Sequence, residues 1–471
     1  MSRPLRLHPD RLFPADPRTR DIARSLYTAV KALPILSPHG HTDPAWFATN
    51  QPFTDPASLL IVPDHYLFRM LYSQGVRLED LGIPTRDGTP VESDPRTIWR
   101  RFAAHYHLFR GTPSRIWCDW VFAEVFGLEV ALDAATADTC FDTIDAALKT
   151  DAFRPRALFE RFGIEVIATT ESPTDELAHH KAILDSGWSG RVVTTYRPDP
   201  VMDPEAEGFA DNVARFGELA GEDISTLAGY LRAHENRRAF FRAHGATATD
   251  HGHPTAGTCA LDRAFFEEIY TRALAGKASS IEAEYFRCAM LMEMARMSLD
   301  DGMVMQIHPG VHRSHNPMLF ERFGPNMGAD IPVQTDYVNA LKALLDRHGS
   351  DPRLTVIVFT LDEDSYSREL APLAGHYPAL KLGPPWWFND SPEGMRRFRE
   401  RVTETAGFYN TVGFNDDTRA FLSIPARHDV ARRMDCGFLA RLVAEHRLEE
   451  DDAHELAADL AYNLAKVAYR L

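Results

Sequence analysis

Histidines two residues apart can share a metal ion when they lie on one extended segment, because side chains at i and i+2 of a strand point the same way. Three such pairs occur: His39/His41, His105/His107 and His251/His253. With 20 His in 471 residues, about one such pair arises by chance. Each pair taken singly therefore reads as surface or core histidines. The first pair differs in context. It ends the first β-prone run, and Asp417 ends the last. If the sheet closes, those runs are neighbours. His39, His41 and Asp417 would then offer three ligands with an open position, the pattern of a catalytic metal ion.

Other chemistry-bearing residues also follow β-prone runs. These are Thr170-Glu171, Arg197-Pro198-Asp199, Asp250-His251, His308, Asp362-Glu363-Asp364, Trp386-Trp387, and Asp416-Asp417 with Arg419. Turns are polar anyway, which accounts for Asp and Glu. It accounts less well for His, Arg and Trp. A guanidinium can grip a carboxylate through two parallel hydrogen bonds, so Arg197 suggests an acidic ligand, against the alternative of a surface ion pair. Asp64-His65-Tyr66 lies in a helical stretch. A tyrosine can carry a proton if an arginine lowers its pKa, although packing is the ordinary role of one at such a position.

The elements that must position these groups are short apolar runs separated by helical segments, the alternation of a parallel sheet. Eight candidate strands are Leu33–Ser37, Ile164–Thr170, Arg191–Tyr196, Gly245–Thr249, Met303–Ile307, Leu354–Thr360, Ala379–Leu382 and Tyr409–Phe414. Eight strands with polar groups at their C-terminal ends predict a single (β/α)8 TIM-type barrel spanning 1–471, with a doubly wound open sheet as the alternative. Residues 44–162 exceed any ordinary strand-to-helix connection and predict a large helical insertion. Residues 203–244 predict a smaller one, and 429–471 predict C-terminal helices. Asp175–Ser186 predicts a helix capped by Thr174.

Lys and Arg number 51 against 67 Asp and Glu, a net charge of −16. That balance opposes binding to nucleic acid or an anionic membrane. An acidic ligand would need local arginines to overcome the field. The five cysteines are scattered and never form C-x-x-C, which fits free thiols in a reducing compartment. No signal-peptide pattern or apolar run of membrane-spanning length is visible. The expectation is a soluble, cytoplasmic protein. A homo-oligomer is compatible with a barrel of this size.

The strand-one H-x-H with the strand-eight Asp resembles the amidohydrolase superfamily. Longer strings resemble its uronate isomerase (glucuronate isomerase) family. They are Ser37–His41, Asp64–Arg69, Thr169–Pro173, Arg197–Asp199, Met305–His308 with Arg313, Phe323–Gly328, Trp386–Asp390, and Val412–Ser423. The resemblance covers most of the chain, and the Trp-Trp-Phe-Asn-Asp string is its most specific part. It implies that His39, His41 and Asp417 bind one divalent metal ion, expected to be Zn2+. It implies that Arg197 holds the substrate carboxylate while His65, His308 and Trp386 line the sugar site. Tyr66 would move a proton between C2 and C1, with Asp417 as a competitor for the base. Arg419 would stabilise the enediolate, and Asp417 would assist ring opening. The implied reaction is aldose–ketose isomerisation of D-glucuronate to D-fructuronate, of D-galacturonate to D-tagaturonate, or both.

The sequence departs from the family pattern at Glu171, Thr42 and Pro309, and lacks an aromatic pair in Arg427-His428-Asp429. None of these removes a group assigned to catalysis. The rival reading is a one-metal hydrolase or deaminase of the same superfamily. The two-metal version is disfavoured because the fourth strand ends in Thr249-Asp250-His251, without the lysine that bridges two metals. A sugar-acid-binding protein is a more distant rival.

Overall fold

The computed structural model describes residues 3–471. Seven parallel strands form one sheet in chain order: β1 Ile35–Ser37, β2 Ile164–Glu171, β3 Arg191–Tyr196, β4 Ala248–His251, β5 Val304–Ile307, β6 Val356–Val358 and β7 Leu380–Leu382. β1, β4, β5 and β6 are buried along their whole length. For β5 and β6 that is why the sequence shows near-continuous apolar runs rather than alternation, whereas β4, Ala-Thr-Asp-His, is buried with polar side chains.

The predicted eighth strand, Tyr409–Phe414, is not a regular strand. It contributes one parallel bridge, Leu382 with Thr411. The physical reason is local. Gly413 has φ +73° and Asp417 has φ +37°, so the chain leaves the extended region twice within a few residues. The segment nevertheless spans from β7 to β1. Val412 N–H donates to Leu382 O at 3.1 Å, and His41 N–H donates to Thr418 O at 3.0 Å. The architecture is thus a curled seven-stranded parallel sheet, in which the eighth position of the barrel expected from the sequence is held by this bridged segment rather than by a regular strand.

Between 44 and 162 lie the helices Pro44–Thr49, Pro56–Leu60, His65–Tyr72, Pro95–His105, Pro113–Trp120, Ala137–Leu148 and Pro155–Arg161. Asp-Pro starts several helices. Asp43, Asp55 and Asp94 each accept a backbone N–H in the first turn while proline fills the first helical position, where its missing N–H costs nothing. Between 203 and 244 lie Phe209–Ala220 and Leu227–Ala243. The helix predicted at 175–186 begins only at Ala178, and Thr174 does not cap it. The C-terminal helices start earlier than predicted, at Ile424.

The C-terminal tail closes the sheet from below. The buried Tyr469 hydroxyl donates to Gln306 Oε1 on β5 and accepts from Asn415 Nδ2, both at 3.1 Å. Gly413 lies under this tail, where an added Cβ would sit 2.9 Å from Leu460 O. No helix among the described residues is long and apolar enough to cross a membrane. Gly413→Ala combines a positive φ with that close approach. It is expected to lower stability by about 1–3 kcal/mol, read as a shift of the urea unfolding midpoint; an unchanged midpoint would refute the need for glycine there.

Candidate active site

β1 delivers His39 and His41 to the C-terminal mouth of the sheet, and the 411–418 segment delivers Asp417 opposite them. Thr170 Oγ1 donates to Gly40 O at 2.9 Å, which fixes the turn between the histidines. Asp417 Oδ1 lies 3.5 Å from His39 Nε2 and 3.3 Å from His41 Nε2. One ligand atom from each residue falls within 4.8 Å of the other two. Bonds of about 2.0–2.1 Å in tetrahedral array put neighbouring ligands about 3.3 Å apart, so this donor set fits a divalent cation. Burial works against the charge on Asp417, but the two imidazoles outweigh it and hold its carboxyl well below the usual range. Burial also favours neutral His39, yet Asp417 and Asp250 raise its pKa. His41 is lowered, chiefly by burial.

Asp250, at the end of β4, ties a second group together. It is fully buried. One oxygen accepts from Arg197 Nη1 at 2.8 Å, and the other lies 2.7 Å from His308 Nδ1. Arg197 Nε donates to Asp199 at 2.9 Å. These carboxylates outweigh desolvation and raise the guanidinium pKa. Arg197 Nη2 keeps no protein partner among the described residues. The His308 ring stacks on Phe359 at 4.0 Å and meets the edge of Trp386 at 4.7 Å, which sets its orientation. Arg313 contacts Asp330 at 3.3 Å. Arg419 makes no ion pair among the described residues, and its pKa is lowered by burial.

The third group comes from the helix His65–Tyr72, whose N-cap Asp64 accepts from Tyr66 N–H at 2.9 Å. The Tyr66 hydroxyl lies 3.0 Å from both oxygens of Asp390. Arg427 Nη1 donates to the same carboxylate at 2.8 Å while its guanidinium stacks 3.6 Å over Trp117. Arg427 acts to lower the phenol pKa, as the sequence suggested an arginine would. Burial and Asp390 outweigh it, and the pKa rises well above 10. Tyr66 is therefore a phenol at neutral pH, not a phenolate. His65 packs edge-on against Trp387 at 5.1 Å, and burial followed by Arg419 pushes its pKa down to about 3.

All nine residues singled out from the sequence (His39, His41, His65, Tyr66, Arg197, His308, Trp386, Asp417 and Arg419) line one cavity of about 540 Å³. Arg313, Asp199 and Trp387 join them. Asp250, Asp390 and Arg427 stand behind as partners of site residues. Asp250 was visible at a strand end, whereas Asp390 entered only as the last residue of the Trp386–Asp390 string and Arg427 only as part of a departure from the family pattern, neither with a role. Other polar strand ends do not face the cavity. Glu171 points to Thr194 and His180, Asp416 meets His428 at 3.1 Å, and Asp362 accepts from Asp364 N–H in its own turn and from Thr335 N–H of a neighbouring loop. For these the turn reading holds.

A glucuronate isomerase family model matches residues 18–469. The chain belongs to the glucuronate isomerase family. A uronate isomerase of Phenylobacterium zucineum is 68% identical over 471 residues, covering 100% of this chain and 98% of that protein. The crystal structure of glucuronate isomerase from Caulobacter crescentus superposes with a TM-score of 0.98 at 62% identity, over 99% of this chain and 98% of that one. The uronate isomerase of Thermotoga maritima gives 0.92 at 26% identity, over 98% and 99%. Family membership makes the chain an isomerase, and the hydrolase alternative is not favoured.

Glu171, where the family pattern has Asp, has its pKa raised by burial from 4.5 to about 7. Below 4.5 both folded and unfolded chains hold this proton. Between 4.5 and 7 only the folded chain holds it, so stability falls as pH rises, by up to about 3 kcal/mol. Glu171→Gln removes that loss. Its stability relative to wild type, from urea unfolding at pH 5 and pH 8, is expected to improve across the interval; a constant difference would contradict the buried carboxyl.

Proposed function

We propose that the chain interconverts D-glucuronate with D-fructuronate, D-galacturonate with D-tagaturonate, or both, by moving a proton between C2 and C1 through an enediolate. The observation that carries this is the convergence of Arg197, Arg313 and Arg419 with the His39–His41–Asp417 set on one cavity of a chain with net charge −16. Three guanidinium groups at one mouth are costly to assemble unless an anion joins them.

Arg197 binds the substrate carboxylate, and Asp199 and Asp250 fix its plane. His39, His41 and Asp417 would hold a divalent cation, taken to be Zn2+, which when bound supplies positive charge near the sugar oxygens. Asp417, ionised at neutral pH, accepts a hydroxyl proton during ring opening. Arg419, with no acid of its own, stabilises the oxyanion that develops as the C2 proton leaves. His65, His308 and Trp386 shape the sugar pocket, and neutral His65 offers hydrogen bonds without adding charge.

Proton transfer is assigned to Tyr66 acting with Asp390. The phenol O–H donates to a buried carboxylate whose own pKa is raised by desolvation. As the phenol proton moves to Asp390, the oxygen can take the C2 proton, and the reverse returns a proton to C1.

Two measurements test this reading. Proton NMR in heavy water should show glucuronate or galacturonate converting to its ketose, with the deuterium content of product reporting exchange at the base. No conversion of either, with folded protein and Zn2+ or Mn2+ supplied, would overturn it. Tyr66→Phe should lower kcat by about 10²–10⁴-fold with little change in KM; an unchanged kcat removes Tyr66 from the proton path.

A further inference from the structure

Behind the substrate arginine lies a second cluster of metal-ligating types. β4 runs on through Gly252 to His253, and Asp199 follows β3 next to it. His251 and His253 are both buried, at 0% and 3% exposure. One ligand atom from each, together with a carboxylate oxygen of Asp199, lies within 4.8 Å of the other two. His253 Nε2 is 3.8 Å from Asp199 Oδ1. His251 Nδ1 and both ring nitrogens of His253 are buried with no hydrogen-bond partner among the described residues. Each such atom costs about 1–3 kcal/mol if nothing meets it. Three in one place mark a ligand position.

The surroundings prepare these atoms as donors to a cation. Thr249 Oγ1 donates to Val304 O at 3.4 Å, so it accepts from His251 Nε2–H at 3.0 Å. That fixes the tautomer and leaves the Nδ1 lone pair toward the cluster. Gly252 N–H donates to both Asp199 oxygens, at 3.1 and 3.0 Å, and Arg197 Nε donates to one. The carboxylate is held as outer partners hold metal-ligating carboxylates. A Cβ at Gly252 would collide with Arg197 Nη2, so a larger residue there displaces that guanidinium end. Among the strongest charges acting on His253, the carboxylates of Asp199, Asp203 and Glu284 oppose the guanidinium of Arg287.

We propose that Asp199, His251 and His253 form a second divalent-cation site, of the two-histidine, one-carboxylate class that takes Zn2+ or Co2+, separate from His39, His41 and Asp417. An ion there ties the loop after β3 to the end of β4. It also draws charge from Asp199, and so tunes how Arg197 is held from behind. The site does not rest on the isomerase reading, since its occupancy is measured without substrate.

The test is metal stoichiometry of the purified full-length protein. Samples are saturated with Zn2+, desalted and analysed by mass spectrometry, with Co2+ loading followed by visible d–d absorption. Wild type should carry two ions per chain. His39→Asn/His41→Asn should keep one, with a Co2+ spectrum of nitrogen–oxygen ligation. His251→Asn/His253→Gln should also keep one, and its spectrum should differ from that of the first variant. A single ion in wild type with none in His39→Asn/His41→Asn would overturn the proposal and assign the cluster to buried water. Two ions retained in His251→Asn/His253→Gln would overturn it as well. The first variant leaves the second cluster intact, so the result stands even if the other variant fails to fold.

Discussion

Residue 39 and residue 417 have to meet, and the hydrogen bond from His41 N–H to Thr418 O at 3.0 Å is where they do. A regular ladder would hold the chain extended at this point. Here Gly413 and Asp417 turn it instead, and the Asp417 carboxylate swings over the β1 end. A non-glycine residue at φ +37° is conformationally costly, and such cost persists where the surroundings fix it. The surroundings are explicit: Thr170 on Gly40, Tyr469 on Asn415, and the C-terminal tail packed against Gly413.

The second constraint is charge. The site gathers guanidinium groups inside an acidic molecule, and a buried charge costs least when it is paired and hydrogen-bonded. Asp250 does this for Arg197 and His308 at once, and Asp390 does it for Arg427 and Tyr66. Both carboxylates favour the protonated form of their partners, with different consequences. Asp250 secures a cation for binding an anion. Asp390 keeps a phenol protonated, which turns Tyr66 from a free base into one end of a two-group relay.

Six of the predicted strands overlap the observed ones closely, because fully buried strands announce themselves as short apolar runs. β4 was placed a few residues early: Ala248-Thr249-Asp250-His251 is polar by sequence and buried only because its side chains pair with Arg197, His308 and one another. The eighth strand failed for the converse reason. Tyr409–Phe414 has strand-like composition, but one glycine with positive φ decides its path. The cavity residues were legible through strand ends and through motif strings resembling a family. The roles of Asp390 and Arg427 were not, because their meeting with Tyr66 depends on how a helical insertion folds back over the sheet.

The metal-ligand set draws its histidines from residues 39 and 41 and its aspartate from residue 417, more than 370 positions later. On a ribosome, His39 and His41 emerge long before Asp417 exists. The half-made chain carries an H-x-H pair with no carboxylate to complete it, and a sheet whose first strand lacks its closing neighbour. Contacts this distant in sequence form late because loop closure must come first. Assembly of the centre is thus a report that the chain through Asp417 has been made and folded. A nascent chain stalled just before Asp417 has all seven strands but cannot build the set that His39, His41 and Asp417 form together.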